Sequence, residues 1–170
     1  METPDEKWFR ERLRHFLEVR HPPRQFHRAM IERRSRLAFE SYVQSVEQGT
    51  TADSAVRTAD KMLFRGLLFS KYDTVHLILA TDFPAIPESQ RQEVALRLTR
   101  ICAPIFRAYN LNDDFAEQPE FRQLKEELRT GIRNWIDENG VPGYHSPARK
   151  EKPLVPYSEQ PRYPKRNKRK

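Results

Sequence analysis

An all-α single compact domain of about six helices, followed by a disordered basic C-terminal tail, is the architecture this 170-residue chain predicts. Three observations carry it. Apolar residues recur at spacings of three and four through most of residues 5–140, with no strand alternation, nucleotide-type glycine loop or internal repeat. A hydrophobic content of 37% over this length suffices for one core and is too little for two well-stabilised ones. Finally, the charge is divided: residues 1–140 hold 22 Lys/Arg and 22 Asp/Glu, whereas residues 141–170 hold nine Lys/Arg and two Glu, the whole of the +7 excess.

The first helix, about residues 5–20, places Trp8, Phe9, Leu13, Phe16 and Leu17 on one side and stops at the prolines of His21-Pro22-Pro23. A second runs from about 24 to 48. Its apolar face moves, with Phe26, Ala29, Met30 and Leu37 on one side and Phe39, Tyr42, Val43 and Val46 on another, so it is either bent or sandwiched between two neighbours. Thr51 caps a third helix with a stripe of small residues, Ala52, Ala55, Val56, Ala59, Met62 and Leu63, which lets helix axes approach closely. Gly66 then has the place of a left-handed residue just past the helix end, and Met62 and Leu67 the places of a Schellman hydrophobic pair.

Ser70 and Asp73 have capping-box spacing at the start of a fourth helix, about 71–82, which is apolar on most sides and so the most buried element. Between the two helices Leu67, Leu68 and Phe69 are expected to fold into the core, with Gly66, Ser70 and Asp73 forming a structural joint. A fifth helix begins near Pro87 and keeps one stripe, Val94, Leu98, Ile101, Cys102, Ile105, Phe106 and Tyr109, across Pro104. This favours one kinked helix over two. A sixth opens at Pro119, buries Phe121, Leu124, Leu128, Ile132, Trp135 and Ile136, and ends at Asn139-Gly140.

Three stretches, LFRGLLFSKYDT (63–74), ICAPIFRAYNLNDDFAEQPEF (101–121) and GIRNWIDENG (131–140), resemble the signatures of an uncharacterised Bacteroidetes helical family, domain of unknown function eighteen-ninety-six. The resemblance spans roughly residues 5–140. It implies an all-helical single domain, association with conjugative transposons and similar mobile elements, and no established activity. It carries over no catalytic or ligand residue.

Read for chemistry, the residues point away from catalysis. His15, His21 and His27 recur every six residues, which does not align metal ligands on one helical face. Asp73 and His76 stand three apart without a nucleophile in a recognisable turn, and Cys102, the single cysteine, reads as a small buried hydrophobe. Asp113, Asp114, Glu117 and Glu120 precede a helix start, where the macrodipole favours carboxylates, and lack the spacing of a calcium loop. As an alternative they pair with a basic surface, on a partner or in the protein itself. No catalytic, metal or cofactor site is expected.

Positive charge is the stronger signal. Lys7 to Arg36 contains ten Lys/Arg against three Glu, with Arg10 and Arg14, and Arg24 and Arg28, each sharing a face; a solvated surface and a phosphate-binding one both fit. Residues 141–170 carry six of the 13 prolines and few large apolar residues, which predicts a mobile arm. There Arg162, Lys165, Arg166, Lys168, Arg169 and Lys170 are the candidate nucleic-acid-binding residues, with Tyr157 and Tyr163 placed to stack on exposed bases. With no signal peptide and no membrane-length apolar run, the expected place is the cytoplasm, which the family resemblance implies is a bacterial one. The expected role is a non-enzymatic accessory or adaptor protein of a mobile element, touching nucleic acid non-specifically through its tail. The alternative is a protein-protein interaction module with no nucleic-acid role.

Overall fold

The computed structural model describes residues 3–144. Among them are seven α-helices: α1 (Glu6–Arg20), α2 (Arg28–Glu47), α3 (Ala52–Leu63), α4 (Lys71–Asp82), α5 (Glu88–Ile101), α6 (Ala103–Arg107) and α7 (Glu120–Asn139). Two short 3₁₀ turns, Pro22–Arg24 and Phe115–Glu117, complete the regular structure, with one isolated antiparallel bridge between Val141 and Tyr144. The all-helical expectation holds. No helix among the described residues is long and apolar enough to cross a membrane.

The helices bury their apolar stripes in two clusters. Phe9, Leu13 and Leu17 of α1 meet Ile31, Ala38 and Tyr42 of α2 and Ala55, Ala59 and Leu63 of α3. Val75, Ile78 and Leu79 of α4 meet Ala95, Leu98, Phe106 and Phe115, with Leu124, Leu128, Ile132 and Ile136 of α7. Side-chain caps start three helices, those at Thr51 and Ser70 as expected and the one at Asp5 in addition. Asp5 accepts the Trp8 amide at 2.7 Å, Thr51 accepts the Ser54 amide at 3.4 Å, and Ser70 accepts the Asp73 amide at 3.0 Å. Gly140, at φ 72°, ends α7.

Three expectations are corrected. First, α2 starts at Arg28 and not near 24, because Pro22–Arg24 winds into a 3₁₀ turn, the His27 amide donates back to the Arg24 carbonyl and the Arg28 amide to that of Phe26. Phe26 is consequently 79% exposed, and Leu37 and Val46 also face outward. α2 lies between α1 and α3, which accounts for its moving apolar face. Its buried Ser35 returns its hydroxyl hydrogen to the Ile31 carbonyl at 2.8 Å.

Second, Pro104 divides the fifth helix in two. Proline has no amide hydrogen to give Arg100, so the chain turns at Cys102, which accepts from Ile105 and Phe106 and starts α6. Ile101 leaves the apolar stripe and is exposed. α6 lies close on α7 at Gly131, where a Cβ would sit 2.9 Å from Ile105 Cδ1.

Third, the corner between α3 and α4 is not a Schellman motif. Gly66 has the expected left-handed backbone, φ 73°, but its amide does not return to α3. It donates instead to Asp113 Oδ2 at 2.7 Å, while the Leu68 amide donates to Asp113 Oδ1 at 3.0 Å. Arg34 Nη1 satisfies the carbonyls of Leu63 (3.0 Å) and Arg65 (2.8 Å). Met62 and Leu68 are exposed, Leu67 is buried in the first cluster and Phe69 is half-buried against the second. The capping box is formed in one direction only, since Asp73 turns from its own helix to Arg20, 2.6 Å away, and Ser70 Oγ donates to the Arg20 carbonyl.

Three variants test the corner. Gly66→Ala is expected to lose about 1 kcal/mol, since an L side chain is strained at that φ although the space beside it is open. Asp113→Ala is expected to lose about 1–2 kcal/mol by leaving two amides without their charged acceptor. Phe69→Ala, half-buried, should lose somewhat less than the about 3–5 kcal/mol of a fully buried phenylalanine. Urea denaturation of all three measures this, and wild-type midpoints throughout would refute the corner as a stabilising joint.

Candidate anion-binding cleft

Because Leu67 and Phe69 are drawn to different clusters, the corner leaves a cleft beside it. Its walls come from five segments: His21, Pro23 and Arg24 after α1; Gly66 and Phe69 of the corner; Lys71 and Tyr72 in the first turn of α4; Leu96, Thr99 and Arg100 of α5; and Phe106, Arg107, Tyr109 and Leu111 in and after α6. The cleft, open to solvent on one side, has a volume of about 540 Å³, within the range of small-molecule sites.

The lining is polarised in charge. Arg24, Lys71, Arg100 and Arg107 are exposed cations, and no carboxylate is among the wall residues. Their ammonium and guanidinium groups make no ion pair among the described residues, in contrast to Arg12, which holds Asp60 at 2.8 Å, and Arg129, which holds Asp82 at 3.0 Å. Of the acidic groups beside the walls, Asp73 is engaged with Arg20 and Asp113 with the corner amides, while Glu127 stands beside the Tyr109 hydroxyl. α4 opens its N-terminal end on the cleft, adding the positive end of its dipole. The floor is aromatic. Phe106 is buried under the Lys71 ammonium, 5.6 Å from the ring centre, while Phe69, Tyr72 and Tyr109 are partly open.

His21 closes one wall. Its Nε2 lies 2.7 Å from the Leu67 carbonyl, to which it donates. Burial, and then the neighbouring charges of Arg24 and Arg20, hold its pKa below the ordinary histidine value against the opposing pull of that hydrogen bond.

Of the residues singled out by sequence, Gly66 lines the cleft and Ser70 and Asp73 stand behind it. Arg162, Lys165, Arg166, Lys168, Arg169 and Lys170 lie outside the described residues, as do Tyr157 and Tyr163. The Arg-rich face of the first two helices is divided among different tasks. Arg10 pairs with Glu6 and Arg28 with Glu32, while Arg24, in the 3₁₀ turn, points to the cleft. Asp73 and His76 do not form a pair; the His76 ring stacks against Tyr72 at 5.7 Å. Cys102 is buried, and burial pushes its thiol up to about 11, so it stays protonated near neutral pH. Among the described residues no group of three or more His, Cys, Asp or Glu side chains is arranged to hold a metal ion. Lys71, Arg100 and Arg107 were not picked out in sequence, since they come from three separate segments and form no local motif.

The His21 contact predicts a pH dependence. An unfolded His21 binds its proton near pH 6.5, whereas the folded one does so at lower pH, so the unfolded state holds more protons between those values. Stability is therefore full above about pH 6.5 and falls as the solution is acidified toward the folded pKa. Thermal melts of the wild type and His21→Gln from pH 7.5 to 5 should show a shallower decline in the variant; identical slopes would refute this role.

Comparison with known proteins agrees with the fold. The model of the family described as domain of unknown function (DUF1896) matches residues 2–141. The crystal structure of protein PG0816 from Porphyromonas gingivalis superimposes with a TM-score of 0.76 at 30% sequence identity, covering 82% of this chain and 95% of that one. No curated protein matches. The chain belongs to the DUF1896 family.

Proposed function

We propose that this DUF1896 protein is a non-enzymatic helical adaptor of a bacterial mobile element that binds nucleic acid without sequence preference, through its cleft and its C-terminal basic residues. The carrying observation is the cleft lining, in which Arg24, Lys71, Arg100 and Arg107 gather with no acidic wall residue. In residues 1–140, where Lys/Arg and Asp/Glu are equal in number, such a concentration is a local choice of sign. A run of phosphates matches it, because each cation that replaces a condensed counterion releases that ion to solution. Arg162, Lys165, Arg166, Lys168, Arg169 and Lys170 extend the same chemistry along the chain. The mobile-element setting comes from the family resemblance.

A second reading, a protein-interaction module with no nucleic-acid role, has its own observation in its favour. An apolar groove of about 520 Å³ runs along α1, lined by Trp8, Phe16, Val19 and Phe64 among others, and Val19 is 55% exposed.

Binding of labelled DNA by the full-length chain over a salt series separates the two. If about six phosphates are neutralised, affinity should fall roughly a thousandfold between 50 and 200 mM salt. Replacing the six C-terminal Lys/Arg by serine, or Arg100 and Arg107 by glutamine, should each weaken binding and flatten that dependence. Absence of DNA binding at 50 mM salt would overturn the nucleic-acid reading and leave the interaction module.

A further inference from the structure

We propose that the cleft seats one unpaired nucleotide of a single strand, its base among Phe69, Tyr72 and Tyr109 and its phosphate held by Arg100, Arg107 and Lys71. This rests on the nucleic-acid reading and names the form of the ligand.

The wall chemistry divides along this line. A duplex presents its phosphates outward and stacks its bases inside, so it can use the cations of this cleft and nothing of its aromatic floor. An unpaired base has free faces, and stacking on aromatic side chains rewards any base. The three partly open rings are already fixed. Phe69 packs edge-on against Phe115 and Phe121 at 5.2 and 5.9 Å, Tyr109 against Phe115 at 5.8 Å, and Tyr72 lies on the first turn of α4 beside His76. Little ordering is left to be done when a base arrives. The cleft volume suits one small ligand rather than a length of helix.

The polar groups present do little to distinguish one base from another. Thr99 spends its hydroxyl hydrogen on the Ala95 carbonyl at 2.7 Å, and His21 Nε2 is spent on Leu67. Of the rest, the Tyr109 hydroxyl is buried beside Glu127, and the exposed cations Arg24, Lys71, Arg100 and Arg107 read phosphate. The floor is also close to the charge, since Lys71 holds its ammonium over the Phe106 ring, which keeps a phosphate-binding group at the edge of the base site.

Fluorescence anisotropy with the full-length chain tests this, using a short labelled oligothymidine and a duplex of equal length at one salt concentration. The single strand should bind more tightly. Tyr72→Leu, which leaves net charge unchanged, should lose roughly tenfold in single-strand affinity with duplex binding unaltered, and Tyr72→Phe should restore it. Thermal melts accompany each variant, and the ratio of the two affinities is the readout that simple loss of folding would not change. Equal binding of both oligonucleotides, with Tyr72→Leu lowering neither or both alike, would overturn the proposal while leaving the nucleic-acid reading standing. Inorganic phosphate competing as well as thymidine monophosphate would also overturn it, by reducing the cleft to a phosphate site. Failure to bind either oligonucleotide would remove both.

Discussion

The organisation of the described residues depends on how a helix end is satisfied when the next residues must be apolar. A chain leaving α3 has carbonyls with no intrahelical partner, and a chain approaching α4 has amides in the same condition. Water would ordinarily serve both, but here Leu67 and Phe69 are pulled inward to separate clusters. The polar groups between them are met by side chains from elsewhere: the Arg34 guanidinium takes two carbonyls and the Asp113 carboxylate takes two amides. Each donor or acceptor is charged and so binds more strongly than a neutral one. With that corner fixed, the end of α1 can dock on it through Arg20, His21 and Ser70. The segments that form the cleft acquire their relative positions from this set of bonds.

What could be read in the sequence follows from the range of the interactions. Helix starts at Thr51 and Ser70, the end at Gly140 and the stripes of α1, α3 and α7 rest on residues three or four apart, so spacing reveals them. The left-handed Gly66 was legible for the same reason. Its partner was not. Asp113 lies 47 residues away in an acidic group for which a local electrostatic explanation was already sufficient. The break at Cys102 was hidden differently, because the apolar stripe keeps its phase while the hydrogen bonding that would continue the helix is absent. Phe26 shows the converse: a large apolar residue with helical spacing is exposed because the backbone around it is a turn.

Electrostatics gave the most incomplete reading. Counting charge along the chain finds the basic C-terminal residues at once and finds a neutral remainder. Neutrality over 140 residues does not mean neutrality at each surface, since pairs such as Arg12 with Asp60 and Arg129 with Asp82 remove opposite charges together and leave other cations unmatched. Arg24, Lys71, Arg100 and Arg107 are such a remainder, and only the fold brings them to one cleft. One of its stretches, IFRAYNL, stood within the family signature, but as a marker of kinship it gave no hint that Arg107 and Tyr109 face a common space.

The contact at Gly131 bears on that space. The absence of a side chain there leaves room for the end of Ile105 beside α7. α6 in turn carries Phe106 and Arg107, and leads to Tyr109. Gly131 thereby belongs to the contact behind α6, although it does not line the cleft itself. A methyl group at position 131 would press first on the flexible end of Ile105, so this contact can give at the side chain before either helix axis moves.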